Sequence, residues 1–125
     1  MLKLNTFMTI AAIVAFVFGL GFILVPATVM NMYGVTLDVA GQFLGRYLGS
    51  AFIGIACLAW MTRNAAASDT RKAILMALFV LTVSGFLVAV YDKFAGPGNA
   101  LVWSTVVIYL LLALGFGYFS FMKTD

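Results

Sequence analysis

Uncharged apolar stretches set the layout of this chain. Four of them run at about residues 6–25, 42–62, 73–91 and 100–122, and short segments with charges, prolines or glycines separate them. An α-helix needs about 20 mostly apolar residues to cross a hydrocarbon core of ~30 Å. The runs are continuous rather than alternating, so they favour helices over strands. The pattern predicts an all-α integral membrane four-helix bundle, formed by a single domain over residues 1–125.

The connecting segments carry signals for helix ends. Pro26 suits the first turn of a short helix and Gly34 its end, so a short helix over Ala27–Tyr33 is expected to lie along the membrane interface after the first span. Polar side chains of the capping type stand where the later spans begin. These residues are Asp38 before the second span, Ser68 or Asp69 before the third, and Asn99 before the fourth.

Positive charges are distributed unequally between the two sides of the predicted membrane domain. One side holds five of them: Lys3, Arg63, Arg71, Lys72 and Lys123. The other side holds two: Arg46 and Lys93. Because loops rich in lysine and arginine stay in the cytoplasm, we expect both termini to be cytoplasmic. The expected location is the inner (plasma) membrane of a bacterium.

Composition agrees with lipid as the main solvent and narrows the chemistry. The 125 residues are 65% hydrophobic and 9% charged, far from the roughly 25% charged residues of soluble domains. The net charge of +3 is small and scattered, so no nucleic-acid partner is expected. The chain has no histidine and one cysteine, Cys57, which leaves no ligand set for zinc, haem or an iron–sulfur cluster. We therefore expect no enzyme activity, no metal and no cofactor, apart from a lipid or quinone at the site considered next.

A ridge of small residues and a polar stripe both mark the second span. Gly41, Gly45 and Gly49 recur every four residues, with Gly54 further along. Such a ridge lets another helix approach closely, either within the bundle or in a second copy. Beside it, Gln42, Arg46 and Ser50 share a second face at the same spacing.

Arg46 admits two interpretations. Its long side chain can reach the headgroups or pair with Asp38 or Asp92, which are assigned to the same side of the membrane. Alternatively, it holds an anionic or carbonyl-bearing ligand, such as a lipid phosphate or a quinone oxygen, with Gln42, Ser50 and Tyr47 nearby. Charged residues inside a membrane are functional candidates by default, so both readings stay open.

The order of motifs resembles that of a known family. Val25-Pro26 ends the first span, Tyr33-Gly34-Val35 follows, and Arg46-Tyr47-Leu48-Gly49-Ser50-Ala51 opens the second span. Trp60 closes the second span, and Arg71-Lys72-Ala73-Ile74-Leu75 opens the third. This layout is similar to the small four-helix membrane proteins of the DoxX-like group, including its domains of unknown function. The resemblance implies a four-helix membrane bundle with an arginine, here Arg46, at the outer start of helix two. Some members of that group are linked to quinol-oxidising complexes as small subunits, so the resemblance implies an accessory role.

Two functions follow as expectations. The first is a non-catalytic accessory or assembly subunit, which docks on other membrane protein subunits or on itself. The alternative is binding or transport of a lipid, quinone or small solute at an outward-facing site around Arg46.

Overall fold

The computed structural model describes residues 3–96 and 98–122, and throughout this part the chain is helical with no strand. Five α-helices follow one another, and the last continues into a short π-helical segment. Their bounds are α1 Leu4–Leu24, α2 Pro26–Met32, α3 Val39–Thr62, α4 Asp69–Ala95, α5 Val102–Gly117 and the π-helical segment Tyr118–Met122. Lys123, which the charge count places on the cytoplasmic side, lies outside the described residues.

The four long helices confirm the four predicted apolar spans. Each is long and apolar enough to cross a membrane, the fourth when it is counted from Val102 to Phe121 in the π-helical segment, and their most apolar parts have mean hydropathies of 2.6, 1.4, 2.6 and 1.9. Two helices begin before their uncharged stretches, at the positions that the predicted caps Asp38 and Ser68 indicate. α3 begins at Val39 rather than near residue 42, and α4 begins at Asp69 rather than near residue 73.

Side-chain caps fix where α3 and α4 begin. The Asp38 carboxylate accepts a hydrogen bond from the backbone N–H of Gly41 at 2.7 Å, which confirms Asp38 as the N-cap of α3. The Ser68 hydroxyl accepts one from the N–H of Arg71 at 3.1 Å, so Ser68 is the N-cap of α4. Each cap satisfies a backbone donor that has no partner within the helix. Asn99 instead accepts from the N–H of Leu101 at 2.9 Å, in the turn just before α5.

The short helix after the first span is also present. It occupies Pro26–Met32, with the proline in its first turn, where a missing N–H costs nothing. Gly34 follows with a φ of 78°, a backbone conformation that glycine adopts without steric cost. The short helix predicted over Ala27–Tyr33 therefore lies one residue closer to the N-terminus.

The chain forms two compact units, Met1–Asn64 and Ala65–Asp125. In the first unit, α1 packs against α3 at a crossing of two glycines. A Cβ on Gly49 would lie 2.7 Å from the carbonyl oxygen of Gly19 and 2.9 Å from the backbone nitrogen of Ile23. A Cβ on Gly19 would in turn lie 3.0 Å from the carbonyl oxygen of Gly49. The two backbones are thus close enough that neither position accommodates a side chain.

In the second unit, α4 and α5 pack through aromatic rings seated on glycines. The ring of Tyr109 covers Gly85, where an added Cβ would lie 2.6 Å from the ring's Cδ1. The ring of Phe79 covers Gly117 in the same way, at 2.9 Å from its Cε1. Thr82 is buried between these contacts along α4, and its hydroxyl donates to the carbonyl of Leu78 at 2.8 Å. In each unit, therefore, two helices pack closely because glycines leave room for atoms of the neighbouring helix.

Candidate functional site

The polar stripe on α3 is the first candidate. Arg46 and Ser50 are exposed, and Gln42 is half-buried. The side-chain amide of Gln42 donates to the carbonyl of Leu37 at 3.4 Å and so links α3 to the segment before it. The exposed Tyr47 ring packs edge-on against Phe43, with 5.0 Å between ring centroids. Arg46 itself forms no hydrogen bond or ion pair with the described residues of its own unit.

The two carboxylates expected near Arg46 have separate places. Asp38 uses its Oδ1 to cap α3, about two turns before Arg46 in the chain. Asp92 is exposed near the end of α4, in the second unit, where its backbone carbonyl accepts from the N–H of Gly96 at 3.0 Å. In the first unit, therefore, Arg46 is not a structural ion pair with Asp38. It is an exposed cation on a membrane-length helix.

An apolar groove lies on another side of α3. It has a volume of about 370 Å³ and is lined by residues from α1, α2 and α3 and the segment between α2 and α3. The lining residues are Phe22, Met30, Leu37, Gly41, Leu44, Gly45 and Leu48. Gly41 and Leu48 lie roughly 150° around the helix from Arg46, because successive residues advance by about 100°. The groove and the guanidinium consequently do not form one pocket.

The four glycines predicted to form a packing surface divide into two groups. Gly45 and Gly49 face α1 and α2, where added Cβ atoms would lie 3.3 Å from Pro26 and 2.7 Å from Gly19. Gly41 lies against Leu37 of the preceding loop at 3.1 Å. Gly54 is different, because a Cβ there would have nothing within 4 Å, and the residue is exposed. Most of the ridge is thus occupied inside the first unit, and Gly54 is left open.

Two arginines acquire partners that sequence reasoning did not identify. Arg71 is only 8% exposed, and its guanidinium donates to the carbonyl of Ala65 at 3.0 Å. Arg63 lies over the ring of Trp60, 3.6 Å from the ring centroid, and donates to the carbonyl of Trp60 at 2.6 Å. The spacing Trp60–Arg63, one turn apart on a helix, was the available signal for the second contact. The first depends on how the loop before α4 folds back, which no spacing indicates.

These features define an all-α membrane protein with four helices long and apolar enough to span a bilayer, the second of which carries the exposed Arg46. Within the described residues, no group of three or more cysteine or acidic residues comes together as a metal site. The sequence from residue 3 to 125 matches the family model described as Domain of unknown function (DUF8292), and the chain belongs to that family. Neither a curated protein nor a solved structure matches it.

Proposed function

We propose that this protein is a non-catalytic membrane subunit that assembles with another membrane protein or with a second copy of itself. In this proposal the four spans form one bundle in a bacterial inner membrane, with both termini cytoplasmic. An accessory role of this kind is also what kinship with the DoxX-like group would imply.

The main support is the open glycine of α3. A glycine in a helix costs roughly 0.5–1 kcal/mol relative to alanine, and close helix contact is the usual compensation in membranes. Gly45 and Gly49 have such a contact with α1 and α2, and Gly41 packs against the loop before α3, whereas an added Cβ on Gly54 would meet nothing within 4 Å. A neighbouring helix from outside this unit would account for Gly54. The exposed Ser50, four residues earlier, provides a second small side chain on a similar face of α3.

The test is purification from the native membrane in mild detergent, comparing wild type with Gly54→Leu. Since a Cβ at residue 54 meets nothing within 4 Å, the leucine leaves the packing of the first unit intact. We expect it to abolish a stoichiometric complex that the wild type retains. Ala77→Leu is the matched control, a small-to-large change at an exposed residue of α4. A wild-type protein that migrates as a monomer with no partner would refute the proposal.

A second candidate function is ligand binding at Arg46. The exposed guanidinium, without an ion pair among the described residues of its unit, favours it. The groove does not add to this site, because it lies on another side of α3. Transport of a solute or binding of a quinone would need a polar pathway or an enclosed cavity beside Arg46. A lipid phosphate needs neither.

A further inference from the structure

The depth of Arg46 in the membrane follows from the bounds of α3. Asp38 precedes this helix and Arg63 follows it, so the helix midpoint falls between Ser50 and Ala51. With a rise of about 1.5 Å per residue, the Cα of Arg46 lies about 7 Å from this midpoint. A hydrocarbon core of ~30 Å extends about 15 Å to each side of its centre. If the helix is centred and upright, the Cα of Arg46 is about 8 Å inside the hydrocarbon boundary.

The direction of the side chain favours the nearer boundary. In an α-helix the Cα–Cβ bonds tilt toward the N-terminus, and the N-terminus of α3 is the end closer to Arg46. An arginine side chain can therefore extend along the helix toward the headgroups and place its guanidinium at or just below them. The exposed Phe43 lies one turn further in that direction, on the neighbouring part of the helix surface. The charge would thus be flanked by apolar surface that faces lipid tails.

The guanidinium needs an anionic partner at this depth. An arginine at the centre of a membrane costs about 2.5–3.5 kcal/mol on insertion scales; the cost is smaller near the boundary, and pairing reduces it further. The Asp38 carboxylate serves as a helix cap, and the Gln42 amide is bonded to Leu37. Phosphate is the anion that a bilayer offers at this level, and the planar guanidinium can bind two of its oxygens at once.

We propose that Arg46 binds the phosphate of an anionic phospholipid and draws it below the level of the surrounding headgroups. The bound phospholipid belongs to the leaflet at the N-terminal end of α3. This inference rests on the second candidate function, and its tests measure lipid binding rather than assembly. The same chemistry would recognise free inorganic phosphate, so the experiment must separate the two sources.

The first measurement is native mass spectrometry of the detergent-solubilised protein titrated with phosphatidylglycerol. We expect Arg46→Gln to weaken the tightest lipid-binding step about five-fold, the factor that corresponds to the ~1 kcal/mol a basic residue contributes near a lipid surface. Arg46→Lys should retain most of the binding because it keeps the charge. The matched control is Arg63→Gln, directly after the other end of α3, where the guanidinium already stacks on Trp60. It should leave this step unchanged.

Several outcomes would overturn the inference. Unchanged binding in Arg46→Gln would do so, as would equal weakening in Arg46→Gln and Arg63→Gln, which would indicate attraction by net charge alone. Displacement of the lipid by millimolar sodium phosphate would assign the site to the free anion instead.

A further measurement does not depend on how the glutamine variant folds. Wild-type protein with ¹³C-labelled arginine is placed in bilayers of equal parts phosphatidylcholine and phosphatidylglycerol, and ¹³C–³¹P dipolar dephasing is recorded. The Cζ signal missing from Arg46→Lys identifies Arg46. Strong dephasing of that signal is expected, and its absence would contradict a bound lipid phosphate.

Discussion

The crossing of α1 and α3 makes Gly49 the most sensitive small residue in the first unit. In Gly49→Ala the new methyl group would approach two backbone atoms, the oxygen of Gly19 at 2.7 Å and the nitrogen of Ile23 at 2.9 Å. Backbone atoms cannot rotate away as a flexible side chain can, so the two helices must separate. Overpacking of this kind costs typically about 1–3 kcal/mol, whereas the better helix propensity of alanine returns at most about 1 kcal/mol. We expect a net loss of up to about 2 kcal/mol.

Gly54→Ala is the matched control for this prediction. It makes the same chemical change five residues later on α3, where an added Cβ meets nothing within 4 Å. In monomeric protein it should be neutral or stabilising by up to about 1 kcal/mol.

Unfolding of the first unit can be followed separately, because each unit contains one of the two tryptophans, Trp60 or Trp103. In a Trp103→Phe background, titration with sodium dodecyl sulfate in mixed micelles reports on Trp60 alone. The reasoning predicts a lower midpoint for Gly49→Ala than for Gly54→Ala. Equal midpoints for the two variants would refute the glycine crossing.

Further predictions concern the second unit and the helix caps. Gly85→Ala should destabilise the second unit by about 1–3 kcal/mol, because its methyl group meets the Tyr109 ring. Tyr109→Ala should relieve this clash in the double mutant, and a double-mutant cycle followed by Trp103 fluorescence measures the coupling. Asp38→Ala should cost about 0.5–2 kcal/mol through loss of the α3 cap, whereas Asp38→Asn should cost little, and denaturant titration would distinguish them. Ser68→Ala should have a comparable cost in α4, and an unchanged midpoint would show that its cap does not contribute.

Most of the helical layout could be predicted from the sequence, because it depends on local properties. Length and apolarity define the four spans. Asp38 and Ser68 define helix starts through hydrogen bonds to residues close in sequence, and Pro26 does so through its fixed φ at the first helical position. The exact ends could not be predicted from the uncharged stretches. Charged and polar residues such as Asp69 and Lys93 continue the helix of α4 past them. The spacing of apolar residues did not predict the π-helical segment after α5.

The candidate site was harder to predict because its geometry depends on which faces are occupied. The ridge of small residues indicated close contact, yet only the packing of α1 separates the occupied Gly49 from the open Gly54. Periodicity placed Gln42, Arg46 and Ser50 on one stripe, but the stripe does not reveal that Gln42 is bonded to Leu37. Arg46 was expected at the outer start of helix two, whereas it lies seven residues after Val39, about two turns into α3. The kinship with the DoxX-like group and the cytoplasmic termini stay predictions.

Four membrane crossings are the basis of every proposal above, and site-directed labelling tests them most directly. In a Cys57→Ala background, single cysteines replace Lys3, Thr36, Ala66 and Asn99 in turn, and intact cells are treated with a membrane-impermeant maleimide. The account predicts labelling of positions 36 and 99 from outside, and labelling of positions 3 and 66 only after the membrane is opened. Labelling of positions 3 and 36 from the same side, or of 66 and 99 from the same side, would contradict it.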